Sequence, residues 1–351
     1  MQQRDKNDLV RLSRRTWFLT YALIGFLLVL GAAFVFRKPP PYEVEDRLLL
    51  GTHIRVAVSS QKNPSAILDA IWREMRRIEA KYSSHVSQSE VSRINAFAPG
   101  KAIPLDEETL FLFERALEWS RVTAGAFDIA LGNLVSAWGF DRVSESDFSA
   151  RVPTQAELEA ALSSSGWQLV EISGQQLFLQ GGVQLDLGAF VKGYAVDRAV
   201  QVAKGLDPEC TGYVDAGGDI GIIGPKFGGA NWVVQVQNPR PTSQDFFEAA
   251  FLNQGAIATS GDYERFFLVE GKRYHHILDP FSGYPSTRWI SVTVIAPSAL
   301  DADALATAAF NMEREQVMQL FPRFGAQALL VDSQGDVYKT PGWAFFSEDH
   351  P

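Results

Sequence analysis

Between residues 177 and 295, Gly and Pro cut the chain into short segments that alternate or run apolar, and this punctuation restricts the fold more than any other feature. Strands are read at 177–179, 183–187, 213–214, 220–223, 232–237, 247–252, 256–260, 274–278 and 291–295. Several neighbours are joined by short turns, which suit antiparallel pairs, whereas parallel pairs need long crossovers. Helices are read at 65–82, where Ile67, Ile71, Met75 and Ile78 recur at helical spacing, and from an Asp106 cap to about Arg121, with Leu110, Phe113, Ala116 and Leu117 as the inner stripe. A Thr154–Glu157 capping box opens a third helix that stops at Gly166, and two more run at 190–204 and 299–312. The expected fold class is α+β, a mixed, largely antiparallel sheet flanked by helices.

At 351 residues and 46% hydrophobic, the chain can bury a large core. A net charge of -9, with no basic block outside the N-terminus, excludes a nucleic-acid footprint, so an anionic ligand must be met by local chemistry. The single cysteine, Cys210, excludes an intramolecular disulfide and a thiolate zinc cluster, and reads as a buried small hydrophobe. Residues 16–36 form an uncharged, apolar run long enough to cross a bilayer. Arg4, Lys6, Arg11, Arg14 and Arg15 precede it, so the positive-inside rule keeps 1–15 cytoplasmic. The expected organisation is a tail at 1–15, a transmembrane signal anchor at 16–36, a Pro-rich linker at 37–47 and a catalytic domain at 48–351. The expected location is the cytoplasmic membrane, single-pass, with that domain on the periplasmic side. A cleaved signal peptide, processed near Gly31 and Ala33, is the alternative. No cysteine follows the run closely, which excludes a lipid anchor.

Several segments carry more polar and glycine content than folding needs. In Asp301-Ala-Asp303-Ala-Leu-Ala-Thr307, Asp303 and Thr307 share one helical face among alanines and offer hard oxygens to a divalent cation, magnesium first. The same pattern also suits an Asp favouring the helix dipole and a Thr bonded back to a carbonyl. The segment from Val183 to Asp197 enters a helix bearing Lys192, an arrangement that suits a phosphate, and Asp186 between Leu185 and Leu187 needs a specific partner. Gly217-Gly-Asp219 and Thr259-Ser-Gly-Asp262 read as close-approach points or as plain turns. His276 is a candidate general base near neutral pH, or a structural histidine. Gly125-Ala-Phe-Asp128 and Leu134-Val-Ser-Ala-Trp-Gly139 supply parts for a flat ligand's aromatic pocket, or for a packed core.

In series these motifs, together with Ser89-Glu-Val-Ser-Arg-Ile-Asn95, resemble the ApbE family of FAD:protein FMN transferases, from Gly51 to about Met312. The resemblance implies two lobes with a cleft that holds FAD, its pyrophosphate on a magnesium ion. It implies metal ligation by the Ala189 carbonyl, Asp303 and Thr307. FAD contacts would come from Leu50, His85, Ala126, Phe127, Asp128, Asp186, Lys192 and Ile277, and His276 would activate the acceptor hydroxyl. His85 departs from the family, which usually has Tyr or Trp there, and imidazole offers a smaller stacking face. The implied reaction moves FMN from FAD to a Ser or Thr hydroxyl of an acceptor protein, an extracytoplasmic or membrane subunit of an electron-transfer complex, and releases AMP. A magnesium-dependent FAD pyrophosphatase and a non-catalytic, membrane-tethered FAD carrier are the two alternatives.

Overall fold

The computed structural model describes residues 40–97, 99–141, 151–240 and 246–343. The proposed tail and anchor, 1–36, lie outside the described residues, and within these no helix is long and apolar enough to cross a membrane. In chain order the strands are β1 Glu43–Leu49, β2 Thr52–Ser59, β3 Ile103–Pro104, β4 Val170–Ser173, β5 Gln176–Leu179, β6 Thr211–Ala216, β7 Asp219–Gly224, β8 Trp232–Gln237, β9 Phe246–Leu252, β10 Ala256–Gly261, β11 Phe266–Val269, β12 Lys272–His275, β13 Ser291–Ala296, β14 Gln327–Val331 and β15 Val337–Lys339. The helices are α1 Pro64–Tyr82, α2 Glu90–Asn95, α3 Glu107–Val122, α4 Gly132–Trp138, α5 Gln155–Ser163, α6 Val191–Leu206, α7 Ala299–Phe310 and α8 Arg314–Leu320.

Eight strands form the main sheet in the order β1-β2-β6-β7-β10-β13-β14-β15. Every pairing described is antiparallel, so the sheet is not mixed as expected. Both faces of its centre are buried. Along β13, Val292, Val294 and Ala296 enter the main core beneath α6 and α7, while Ile295 enters a second core roofed by Val236, Ala250 and Leu252 of the β8–β9 hairpin. That is why β13 reads as a continuous apolar run: alternation disappears when both faces are covered.

Helix starts follow their sequence signals. Asp106 accepts from the Thr109 amide, and Thr154 and Glu157 form the reciprocal capping box. Three expectations are corrected. Residues 43–47 of the supposed linker are paired strand. Residues 183–187 form no ladder, because the Leu185 amide donates to the Asn95 side chain and the Asp186 amide to the Ile129 carbonyl. The stretch 274–278 leaves its hairpin after His275, and only Leu278 makes a further bridge, to Pro285. The described residues from Tyr42 onward form one compact unit. Trp138 is fully buried in a small third core with Leu134, Phe140 and Leu158, and donates to the Gly283 carbonyl, so it is packing and not a ligand wall.

Candidate active site

The site forms where α6 and α7 cross above β7 and β10. Close approach requires Gly193: a Cβ there would stand 2.3 Å from the Ala299 carbonyl oxygen. With the helices this close, the Gly193 amide donates to Oδ2 of Asp303 at 3.1 Å. In an uninterrupted helix that amide would serve the Ala189 carbonyl, four residues back. Asp303 takes that amide instead, where Ala189 leads into α6. One turn along α7, Thr307 is half-buried, and its hydroxyl has no hydrogen-bond partner among the described residues.

Lys192 lies between two carboxylates, with Nζ 2.5 Å from Oδ2 of Asp219 and 3.4 Å from both oxygens of Asp303. Asp219 and Asp303 are 2% and 3% exposed, so neither is neutralised by bulk water. Burial works against the Lys192 ammonium, yet the charges of Asp219 and Asp303 outweigh it and hold the lysine protonated. Burial, then the charge of Asp303, pushes the Asp219 carboxyl well above the usual carboxylate range against the pull of Lys192. The Asp303 carboxylate and the Thr307 hydroxyl, one turn apart on α7, are donors that suit a hard divalent cation. Among the described residues no three His, Cys, Asp or Glu converge, so zinc-type ligation is not on offer.

The β11–β12 hairpin supplies the other wall. One step beyond its ladder, the His276 amide donates to the Arg265 carbonyl at 3.1 Å, and Nδ1 lies 3.3 Å from the same oxygen. A carbonyl only accepts, so this contact places the proton on Nδ1 and leaves Nε2 with a free lone pair. Burial first, then Arg265 and His275, holds His276 well below the usual histidine range. Its neighbour His275 is structural: Nε2 donates to the Ser286 carbonyl, and Nδ1 accepts from Ile277. Glu264 and Arg265 are solvent-exposed, yet protein surrounds them closely enough to push the Glu264 carboxyl up to about 7.

The remaining expected contacts surround this region unevenly. Asp128 accepts from the amides of Ala130 and Trp167, and burial pushes its carboxyl up to about 6 against those donors. Phe127 is buried, with its ring 5.4 Å from Phe190, and Ala126 is 4% exposed, so only their backbones are candidates for ligand contact. The Asp186 carboxylate accepts from Gly188, which caps the turn into α6. Ile277 is 6% exposed and follows the histidines. Leu50 has φ 54° and donates its amide to Glu79, and His85 is exposed with its amide on Ser83. Nothing in the structure brings either into contact with the cluster around Lys192.

Four participants carried no assigned role in the sequence reading. Asp219 stood within a recognised motif, but its pairing with Lys192 spans two elements. Glu264 and Arg265 follow the Thr259-Ser-Gly-Asp262 run. Asn311 continues the face of Asp303 and Thr307 by another four residues, a signal the spacing did contain, and its Nδ2 ties α7 to the carbonyls of Ala126 and Leu278. A hollow of about 540 Å³ between Pro99, Glu171 and Phe178 contains none of these groups.

Residues 50–330 match the model of the ApbE family. The chain belongs to the ApbE family. A relative from Treponema pallidum (strain Nichols), named FAD:protein FMN transferase, is 35% identical over 308 residues, 81% of this chain and 83% of that one. The crystal structure of the ApbE protein from Thermotoga maritima is 42% identical, with a TM-score of 0.83 over 88% of this chain and 99% of that one. The flavin transferase ApbE from Vibrio cholerae is 27% identical, with a TM-score of 0.75 over 87% of this chain and all 100% of the other. The ApbE fold thus accounts for the large antiparallel sheet.

Proposed function

We propose that this ApbE protein transfers FMN from FAD to a Ser or Thr hydroxyl of an acceptor protein, with magnesium bound, forming a phosphoester and releasing AMP. The observation that carries the reading is the contact of Asp303 with Lys192 and Gly193, with Thr307 one turn further, because it gathers hard oxygens and a fixed cation, the parts a metal-bound diphosphate needs.

Ala189, Asp303 and Thr307 would hold the metal, which would supply positive charge to the diphosphate and to the departing phosphate. Lys192 stays protonated and orients the two acids. His276, neutral because of its lowered pKa, takes the proton of the acceptor hydroxyl on Nε2 as oxygen attacks the FMN-side phosphorus. The bond from that phosphorus to the bridging oxygen breaks, and AMP leaves with the electron pair. The apolar segment at 16–36 anchors the chain in the cytoplasmic membrane, with the catalytic domain facing the periplasm and an electron-transfer subunit as acceptor.

The test is incubation with FAD, magnesium and a candidate acceptor, read as flavin fluorescence on a denaturing gel and as released AMP. Labelled acceptor with stoichiometric AMP is the expected result. AMP without label would replace transfer by hydrolysis, and retained FAD with no AMP would leave a carrier.

A further inference from the structure

Among the cations near the site, Arg265 stands apart. Lys192 is committed to Asp219 and Asp303. Arg240 and Arg273 both hold Asp262, and Arg288 bridges Asp279 and Glu313. The Arg265 guanidinium makes no hydrogen bond or ion pair with any described residue, although Asp186 and Glu264 lie close enough to act on it through space. Its own carbonyl holds the backbone and ring of His276, so the guanidinium rises from the residue that fixes the candidate base. An exposed arginine with no protein acceptor keeps its five donors for a ligand. Planar, bidentate recognition of phosphate oxygens is what such a group does best.

Charge sets the same requirement: acidic side chains surround Lys192, so a diphosphate brought among them needs a cation that is not already committed. The metal site lies at α6 and α7, whereas His276 lies on the hairpin wall, so charge that develops on the phosphorus beside His276 needs its own cation. We propose that Arg265 is a catalytic residue that binds the diphosphate of FAD on the hairpin side and stabilises the phosphoryl group as it transfers. The proposal deepens the flavin-transfer reading and rests on it for the second role, but the first can be tested by binding alone.

The experiment compares wild type with Arg265→Gln and Arg265→Lys, by titration with FAD and with riboflavin, which lacks phosphate, and by transfer rate at saturating FAD. Arg265→Gln is expected to weaken FAD about 10-fold, to leave riboflavin within about twofold and to slow transfer about 100-fold, with guanidinium ion in solution restoring part of the rate. Arg265→Lys should recover binding better than rate, because an ammonium replaces charge but not the fork. Losing Arg265 also removes a positive neighbour of His276, so the acid limb of the rate profile should move to higher pH. Equal loss of FAD and riboflavin would make Arg265 a structural residue and overturn the proposal. So would unchanged FAD affinity in Arg265→Gln. If wild type binds FAD but transfers nothing, the functional reading fails, while the FAD-to-riboflavin comparison still decides whether Arg265 meets the diphosphate.

Discussion

Lys192 and Asp219 meet at 2.5 Å across the packed interface of α6 and β7, with Asp303 of α7 3.4 Å from the same ammonium. One cation therefore ties three elements together. Replacing it leaves two buried carboxylates facing one another.

Lys192→Met should cost on the order of 3 kcal/mol, the range for breaking a buried ion pair. Magnesium should compensate more in the variant than in wild type, because the same carboxylates then lack their fixed cation. Thermal melts in chelator and in magnesium check this. Equal melting temperatures of variant and wild type in chelator would show that the lysine does not neutralise the pair.

Asp303→Ala should abolish magnesium-dependent AMP release, and Thr307→Val should raise the magnesium needed for half-maximal rate on the order of 10-fold, since a neutral ligand contributes less than a charged one. Rates measured over a magnesium series decide it. Wild-type rates for Asp303→Ala at limiting metal would remove this residue from the metal site.

His276→Ala should slow transfer about 100-fold with FAD still bound, as expected for loss of a general base. In wild type the base works unprotonated, so activity is present above its pKa and falls as pH drops through it. Because that pKa lies below the usual 6.5, the rate should stay level down to pH 6.5 and decline only beneath it. A limb at or above 6.5, or one that persists in His276→Ala, would assign the proton transfer elsewhere.

Gly193→Ala reverses the ordinary helix rule. At an exposed helical site the change gains up to about 1 kcal/mol. Here the new methyl meets the Ala299 carbonyl at 2.3 Å and Cβ of Asp303 at 2.9 Å, and a backbone oxygen cannot move aside. A net loss of about 2 kcal/mol is expected from overpacking, with slower turnover as Asp303 shifts. Urea unfolding and AMP release measured together check both. A stabilised, fully active variant would mean that the two helices separate at no cost.

The helical period alone set Asp303 and Thr307 on one face, and local side-chain chemistry set the caps at Asp106 and Thr154, because these signals act over three or four residues. The antiparallel character of the sheet was legible from short turns between apolar runs. The segment 183–187 failed as a strand for a reason no local pattern holds: the partners of its amides, Asn95 and Ile129, are distant in sequence. The pairing of Lys192 with Asp219, the unpaired Arg265 beside His276 and the burial of Trp138 likewise depend on which elements meet. The sequence by itself determined the candidate oxygens, the candidate imidazole and most of the elements that carry them. Tertiary packing decided their charge states and partners, since burial and opposing charge act through space, across residues that the chain keeps far apart.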